Sequence, residues 1–106
     1  MSFELRTAGP GTGGAVPVVE IRGEIDAGNA ASFETALADL ASPALVVDLS
    51  GAGYLDSAGF AVLDRLLART ALAVVVAPGS VLRTAAQLVG VPIHDTVDQA
   101  QASLRP

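Results

Sequence analysis

The chain has 106 residues, of which 51% are hydrophobic, 4% aromatic and 16% charged, with a formal net charge of −5. It contains no cysteine, no lysine and a single histidine, which excludes disulfide frameworks, thiol nucleophiles, zinc sites built from Cys or several His, Schiff-base chemistry and a phosphate-cradling lysine after a Gly-rich loop. The acidic balance argues against nucleic acid or an anionic membrane as the main partner.

This length fits one domain, spanning 1–106, able to bury on the order of 65% of its unfolded surface without staples. The first ten residues carry Glu4 and Arg6 and lack the apolar stretch of a signal peptide. The most apolar run, residues 71–77, is far shorter than the roughly 20 residues of a membrane-spanning helix. A cytoplasmic location without membrane insertion is the expectation.

Residues 3–7 alternate apolar and polar side chains, as a half-buried strand does, and Gly9-Pro10-Gly11-Thr12-Gly13-Gly14 reads as a loop. Residues 16–25 are rich in β-branched side chains and predict a second strand, with Pro17 near its start. Asn29 is placed to cap a helix whose Phe33, Ala36, Leu37 and Leu40 form one apolar stripe, ended by Ser42-Pro43. Residues 44–49 predict a buried central strand, 50–56 a loop, and 57–69 a helix with Phe60, Leu63 and Leu67 on one face.

Residues 72–77 predict another buried strand, ended by Pro78-Gly79. Ser80 can cap a third helix that runs to Leu88 or Val89, with Gly90 as its stop. Pro92-Ile93-His94 adds a few extended residues, and Thr96-Val97-Asp98-Gln99 matches a capping box opening a last helix toward Leu104. The order is therefore ββαβαβα(β)α. It predicts a small mixed α/β sheet: an antiparallel N-terminal pair, then parallel β-α-β units, packed with about four helices.

One segment concentrates chemistry. Residues 46–49 lead into Ser50-Gly51-Ala52-Gly53-Tyr54-Leu55, and Asp56-Ser57-Ala58-Gly59 follows where a helix begins. A serine there lies among the first-turn N–H groups, an environment that favours negative charge and suits a phosphoryl group. The local pattern leaves two readings open: Ser57 as a modifiable hydroxyl, or Ser57 as a plain N-cap. Tyr54 and Leu55 either face outward from a loop or turn into the core. Phe60 reads as core, Arg83 as part of a solvated face, and His94 as structural.

A second pattern, Ile21-Arg22-Gly23-Glu24-Ile25-Asp26, precedes the first by about 30 residues. With Asp48-Leu49-Ser50 and Asp56-Ser57-Ala58-Gly59, in that order, the chain resembles a STAS domain, a family that joins sulfate transporters with anti-sigma factor antagonists. The resemblance covers nearly the whole chain. It implies the STAS fold and the role of a free-standing anti-anti-sigma factor, a binding module that is not an enzyme. Unphosphorylated members of this kind bind an anti-sigma factor that is also an ATP-dependent serine kinase, and so free the sigma factor.

The kinase then inactivates the antagonist by phosphorylating the serine that corresponds to Ser57, and a serine phosphatase restores binding. By the same resemblance Asp26 is needed for partner contact or phosphorylation; by its own sequence context it only orders the Ala27-Gly28-Asn29 turn. The candidate partner surface is Asp26, Tyr54, Asp56, Ser57, Ala58 and Gly59. Ala58 stands where many relatives carry Ser or Thr, which leaves one candidate hydroxyl. No cofactor, metal or catalytic residue is assigned. Two other classes stand beside this one: a STAS subunit of a lipid-transport ATPase or stress-signalling complex, and a small hydrolase built on Asp26, Asp48 or Asp56. The second lacks a partnering His or Lys.

Overall fold

A computed structural model describes residues 2–8, 16–40 and 43–104. The Gly-rich segment 9–14 and Ser42 of the expected helix stop lie outside them. The elements are β1 (Phe3–Ala8), β2 (Val18–Ile25), α1 (Ala30–Leu40), β3 (Ala44–Leu55), α2 (Ser57–Leu67), β4 (Ala71–Val75), α3 (Leu82–Val89), β5 (Ile93–His94) and α4 (Val97–Ser103). The five strands lie in the sheet in chain order. β1 runs antiparallel to β2, and every later neighbour is parallel. This is the mixed sheet with four helices expected from the element order.

The strand order explains where the helices sit. Because β2 to β5 advance in one direction, right-handed crossovers place α1, α2 and α3 on the same face. Alternation along the strands serves both faces. Val19, Ile21, Val47, Leu49, Leu72 and Val74 pack with Phe33, Leu37, Leu63 and Leu82 of these three helices. Val18, Val46, Ala73 and Val75 point the other way and meet Ala100 of α4. No helix among the described residues is long and apolar enough to cross a membrane.

β3 departs from expectation. It continues through Ser50, Gly51, Ala52 and Gly53 to Leu55, where composition had predicted a loop. Gly51 and Ala52 pair with Arg22 and Gly23 of β2, and Tyr54 and Leu55 with Glu24 and Ile25, while Ser50 and Gly53 fall where the register shifts. The register shifts twice on the way, between Glu20 and Arg22 and between Gly23 and Glu24. Each shift inserts a residue in β3 and would invert the facing of all that follows; two of them restore it. Leu55 therefore buries beside Ile25.

The small residues have local reasons. Gly23 sits at φ +95°, and a Cβ there would lie 2.5 Å from the Ser2 carbonyl oxygen. At Gly51 a Cβ would come within 3.0 Å of the Arg22 Cγ, so the arginine stem lies across bare backbone. Propensity read this stretch as a turn, but the backbone pairing it permits with β2 prevails.

The helix ends follow the expected signals with small shifts. Ser80 Oγ accepts from the Leu82 amide at 3.1 Å, and Gly90 closes α3 at φ +83°. Thr96 Oγ1 accepts from the Gln99 amide at 3.2 Å, while Gln99 Oε1 accepts from the Asp95 amide rather than from Thr96. Glu34 of α1 receives two hydrogen bonds from Arg65 of α2, at 2.7 and 2.9 Å. The guanidinium holds the Glu34 carboxyl below its ordinary pKa. Arg83, expected on a solvated face, pairs with Asp95 at 2.6 Å and also donates to the Val76 carbonyl at 3.3 Å.

α2 is seated on the sheet through Gly59. A Cβ at this position would overlap Leu55 Cδ1, lie 2.8 Å from Leu55 Cγ and 3.2 Å from Ile25 Cγ2. Both neighbours are buried and cannot swing clear. Gly59→Ala is therefore expected to destabilise the fold, because overpacking of about 1–3 kcal/mol outweighs alanine's helix preference of about 1 kcal/mol. Thermal unfolding followed by circular dichroism should show a lower Tm; an unchanged or higher Tm would contradict this packing account.

Candidate functional site

Ile25 and Leu55 end two neighbouring parallel strands at the same level. The Asp56 amide donates to the Ile25 carbonyl at 3.2 Å and closes the ladder. Each strand is followed directly by an aspartate, so Asp26 and Asp56 leave the sheet side by side at its carboxyl edge. That edge is where open α/β sheets generally present their sites.

The Asp26 turn is held by side chains. Asp26 Oδ1 accepts from the Gly28 amide at 2.9 Å. Asn29 Oδ1 accepts from the Asp26 amide at 2.9 Å, and Asn29 Nδ2 donates to the Glu24 carbonyl at 3.0 Å. Asn29 does precede α1, with its carbonyl accepting from the Phe33 amide at 3.0 Å, yet these two bonds reach backward over the turn. The turn-ordering reading of Asp26 is thus met by geometry.

At the second strand end the cap is Asp56 and not Ser57. Asp56 has extended backbone angles, and its Oδ1 accepts from the amides of Ala58 at 2.9 Å and Gly59 at 3.2 Å. Ser57 is the first residue of α2 and is exposed. Two of the first-turn amides expected to favour a phosphoryl group are therefore already satisfied by a carboxylate. Ser57 is left as an accessible hydroxyl beside a negative charge.

The other candidate residues separate by burial. Tyr54 is 42% exposed, whereas Leu55 is 5% exposed and belongs to the core. Ala58 is half-buried against the core, and Gly59 is buried; the close approach it permits is to the sheet. Asp26, Asp56 and Ser57 gather at the edge with Tyr54 nearby on β3. His94 lies in β5, opposite Val75, away from these residues. No three His, Asp or Glu side chains among the described residues gather into a potential metal site.

The sequence reading missed a groove of about 500 Å³ that opens beside Ser57 between α2 and α3. Phe60, Ala61 and Asp64 form its α2 wall, and Ala85, Leu88 and Val89 its α3 wall. Phe60 is core, as expected, at 4% exposure, and it also floors this groove. Leu88 is 84% exposed and Val81 85%. One signal was present in the sequence: Ser57, Ala61 and Asp64 repeat at i, i+4 and i+7, as do Val81, Ala85 and Leu88. The second set is an apolar stripe additional to the buried Leu82 and Ala86.

Comparison with known proteins places this geometry in a family. The family model described as "Mlab, STAS domain" matches residues 9–92. The structure of an anti-sigma factor antagonist from Mycobacterium paratuberculosis is 28% identical in sequence and superposes with a TM-score of 0.83, over 99% of this chain and 96% of that one. The anti-sigma factor antagonist SpoIIAA, in its unphosphorylated form, shares the fold at 18% identity and a TM-score of 0.59, over 96% of each chain. No curated protein matches the chain. The sheet order, the Gly23 and Gly59 close approaches and the paired strand ends occupy the motifs by which the sequence resembled STAS domains, and the chain belongs to the STAS domain family.

Proposed function

We propose that the protein is an anti-sigma factor antagonist whose unphosphorylated form binds a serine-kinase anti-sigma factor and frees the sigma factor. The observation that carries this reading is the exposed Ser57 at the first position of α2. It stands in a chain that matches an anti-sigma factor antagonist over nearly its full length. The kinase transfers the γ-phosphoryl group of ATP to Ser57 Oγ. The bond from phosphorus to the β,γ-bridging oxygen breaks, the Oγ–P bond forms, ADP leaves, and the hydroxyl proton passes to a base on the kinase. A serine phosphatase reverses the modification by hydrolysis. On this reading the chain is a substrate and a switch, and it carries no catalytic group of its own.

The site geometry supports a switch that acts on the partner rather than on the fold. Phosphorylation adds about −1.5 to −2 charges and three acceptor oxygens. The Ala58 and Gly59 amides are held by Asp56, so the new group gains little from the helix end and faces solvent instead. A partner surface packed over Ser57 must then desolvate a dianion beside a carboxylate. A loss of about 3 kcal/mol weakens a complex more than a hundredfold.

Affinities for purified kinase anti-sigma factors, measured by calorimetry, test the reading. Ser57→Ala should bind like the parent, and Ser57→Glu about a hundredfold more weakly. Equal affinities for the two variants would contradict it, and a transporter ATPase co-purifying in place of a kinase would move the chain to another STAS assembly.

Asp26→Asn separates the two roles of Asp26. Asparagine Oδ1 still accepts from Gly28, so the turn is kept and only the charge is lost. We expect binding to fall about tenfold with Tm held within about 2 °C. Unchanged binding would confine Asp26 to ordering the turn.

A further inference from the structure

β1 leaves one edge of the sheet open. It is the first strand in the sheet order, and among the described residues no strand pairs with its other side. Its pairing with β2 runs without a register shift. The Glu24 amide donates to the Ser2 carbonyl at 2.9 Å, which makes Ser2 and Glu24 a hydrogen-bonded pair. Such pairs alternate along an antiparallel ladder, so Glu4 and Arg6 also turn their backbone groups to β2. Phe3, Leu5 and Thr7 turn theirs outward.

The side chains of the strand divide between the two faces. Phe3 and Leu5 pack against the helix-side core, with the Phe3 ring edge-on to Phe33 at 5.7 Å. Glu4 and Arg6 stand exposed on the opposite face, away from the cluster that Ala100 of α4 covers. There Glu4 lies across from Arg22, and Arg6 across from Glu20. None of these four forms an ion pair among the described residues. A cleft of about 540 Å³ lined by Glu4, Leu5, Arg6, Thr7 and Arg22 follows the strand.

From this we infer that β1 pairs edge to edge with β1 of a second copy of the chain, joining the two five-stranded sheets across a two-fold axis at Leu5. The charges select that register. Outward-facing residues must meet outward-facing residues. With Leu5 opposite its own copy, Phe3 pairs with Thr7 of the copy, and Glu4 meets Arg6 at both ends of the ribbon. Sliding the copy by two residues one way sets Glu4 against Glu4, and the other way Arg6 against Arg6. Like charges directly opposite are destabilising.

The same register completes a wider pattern. Glu20, Arg6, the copy's Glu4 and the copy's Arg22 form a row of alternating sign, and the two-fold axis repeats it. Glu4 and Arg6 fall at the non-hydrogen-bonded positions, where Cα atoms approach to about 4.5 Å and side chains lie closest. Charges on an edge strand ordinarily discourage pairing. Here two opposite charges two residues apart cancel against themselves, in a chain whose net charge of −5 otherwise keeps copies apart. The contact is short and buries less than the roughly 1,200 Å² of a standard interface, so the dimer is weak, with a dissociation constant on the order of 0.1 mM. It uses none of the candidate-site residues and does not rest on the antagonist reading.

Sedimentation equilibrium from about 5 µM to about 1 mM, at about 0.05 M NaCl, tests the pairing. Wild type should pass from monomer to dimer across that range. Glu4→Arg alone and Arg6→Glu alone place like charges opposite each other at both ends of the ribbon. Each should raise the dissociation constant about tenfold or more. An equimolar mixture of the two variants restores both opposite-charge pairs, and should associate one to one about as tightly as wild type. Two misfolded chains would not rescue each other in this way. Thr7→Pro removes an outward amide while sparing the β2 ladder; it should also weaken the dimer, with thermal melts run alongside.

A wild type that stays monomeric throughout would leave the edge to another occupant, such as an extended segment of a different protein, and overturn the inference. So would a dimer that both charge variants form unchanged, which must use another face, or a mixture that fails to associate.

Discussion

Two parallel strands end level with each other, and the candidate site depends on that alignment. Ile25 and Leu55 bury side by side, the Asp56 amide closes the last rung on the Ile25 carbonyl, and Gly59 lets α2 settle directly onto both side chains. If Leu55 moved by one residue, its side chain would face solvent and Asp56 would lose its place as the cap. The two register shifts in β3 are what bring Leu55, rather than Gly53, level with Ile25. Gly23 needs the absence of a Cβ because Ser2 and Phe3 lie against it on the β1 side, and Gly51 leaves room for the Arg22 stem across the β2–β3 pairing. Motif residues that look like scattered signatures are thus parts of one mechanical joint.

The electrostatics follow from the same joint. Since Asp56 satisfies the Ala58 and Gly59 amides, the positive end of the helix dipole is already answered by a carboxylate. An anion added at Ser57 would find little stabilisation from the chain itself, so its consequence falls on whatever covers the site. The chain's overall acidity points the same way. A phosphate at Ser57 would add to the chain's net charge of −5.

Much of this was legible in the sequence because apolar periodicity and capping residues agree with the fold. The stripe through Phe33 and Leu37, the Gly90 stop and the Thr96 cap all fall where the side chains required them. The stretch from Ser50 to Gly53 was not legible. Its small residues carry turn propensity, and only the neighbouring strand reveals that they allow close pairing. The cap position was also hidden, since Asp56 and Ser57 are both good caps and the length of β3 decides between them. The groove could not be read at all from one segment, because it is a relation between α2 and α3. Its trace was a surplus of apolar residues on α3 that one buried face cannot absorb.

The central claim is that Ser57 is the switch. The direct measurement is incubation of the purified chain with ATP and a kinase anti-sigma factor that binds it, followed by mass mapping of the phosphoryl group. The account predicts a single phosphorylation, at Ser57, and none in Ser57→Ala. A phosphoryl group on another residue, with Ser57→Ala labelled as well as the parent, would contradict it.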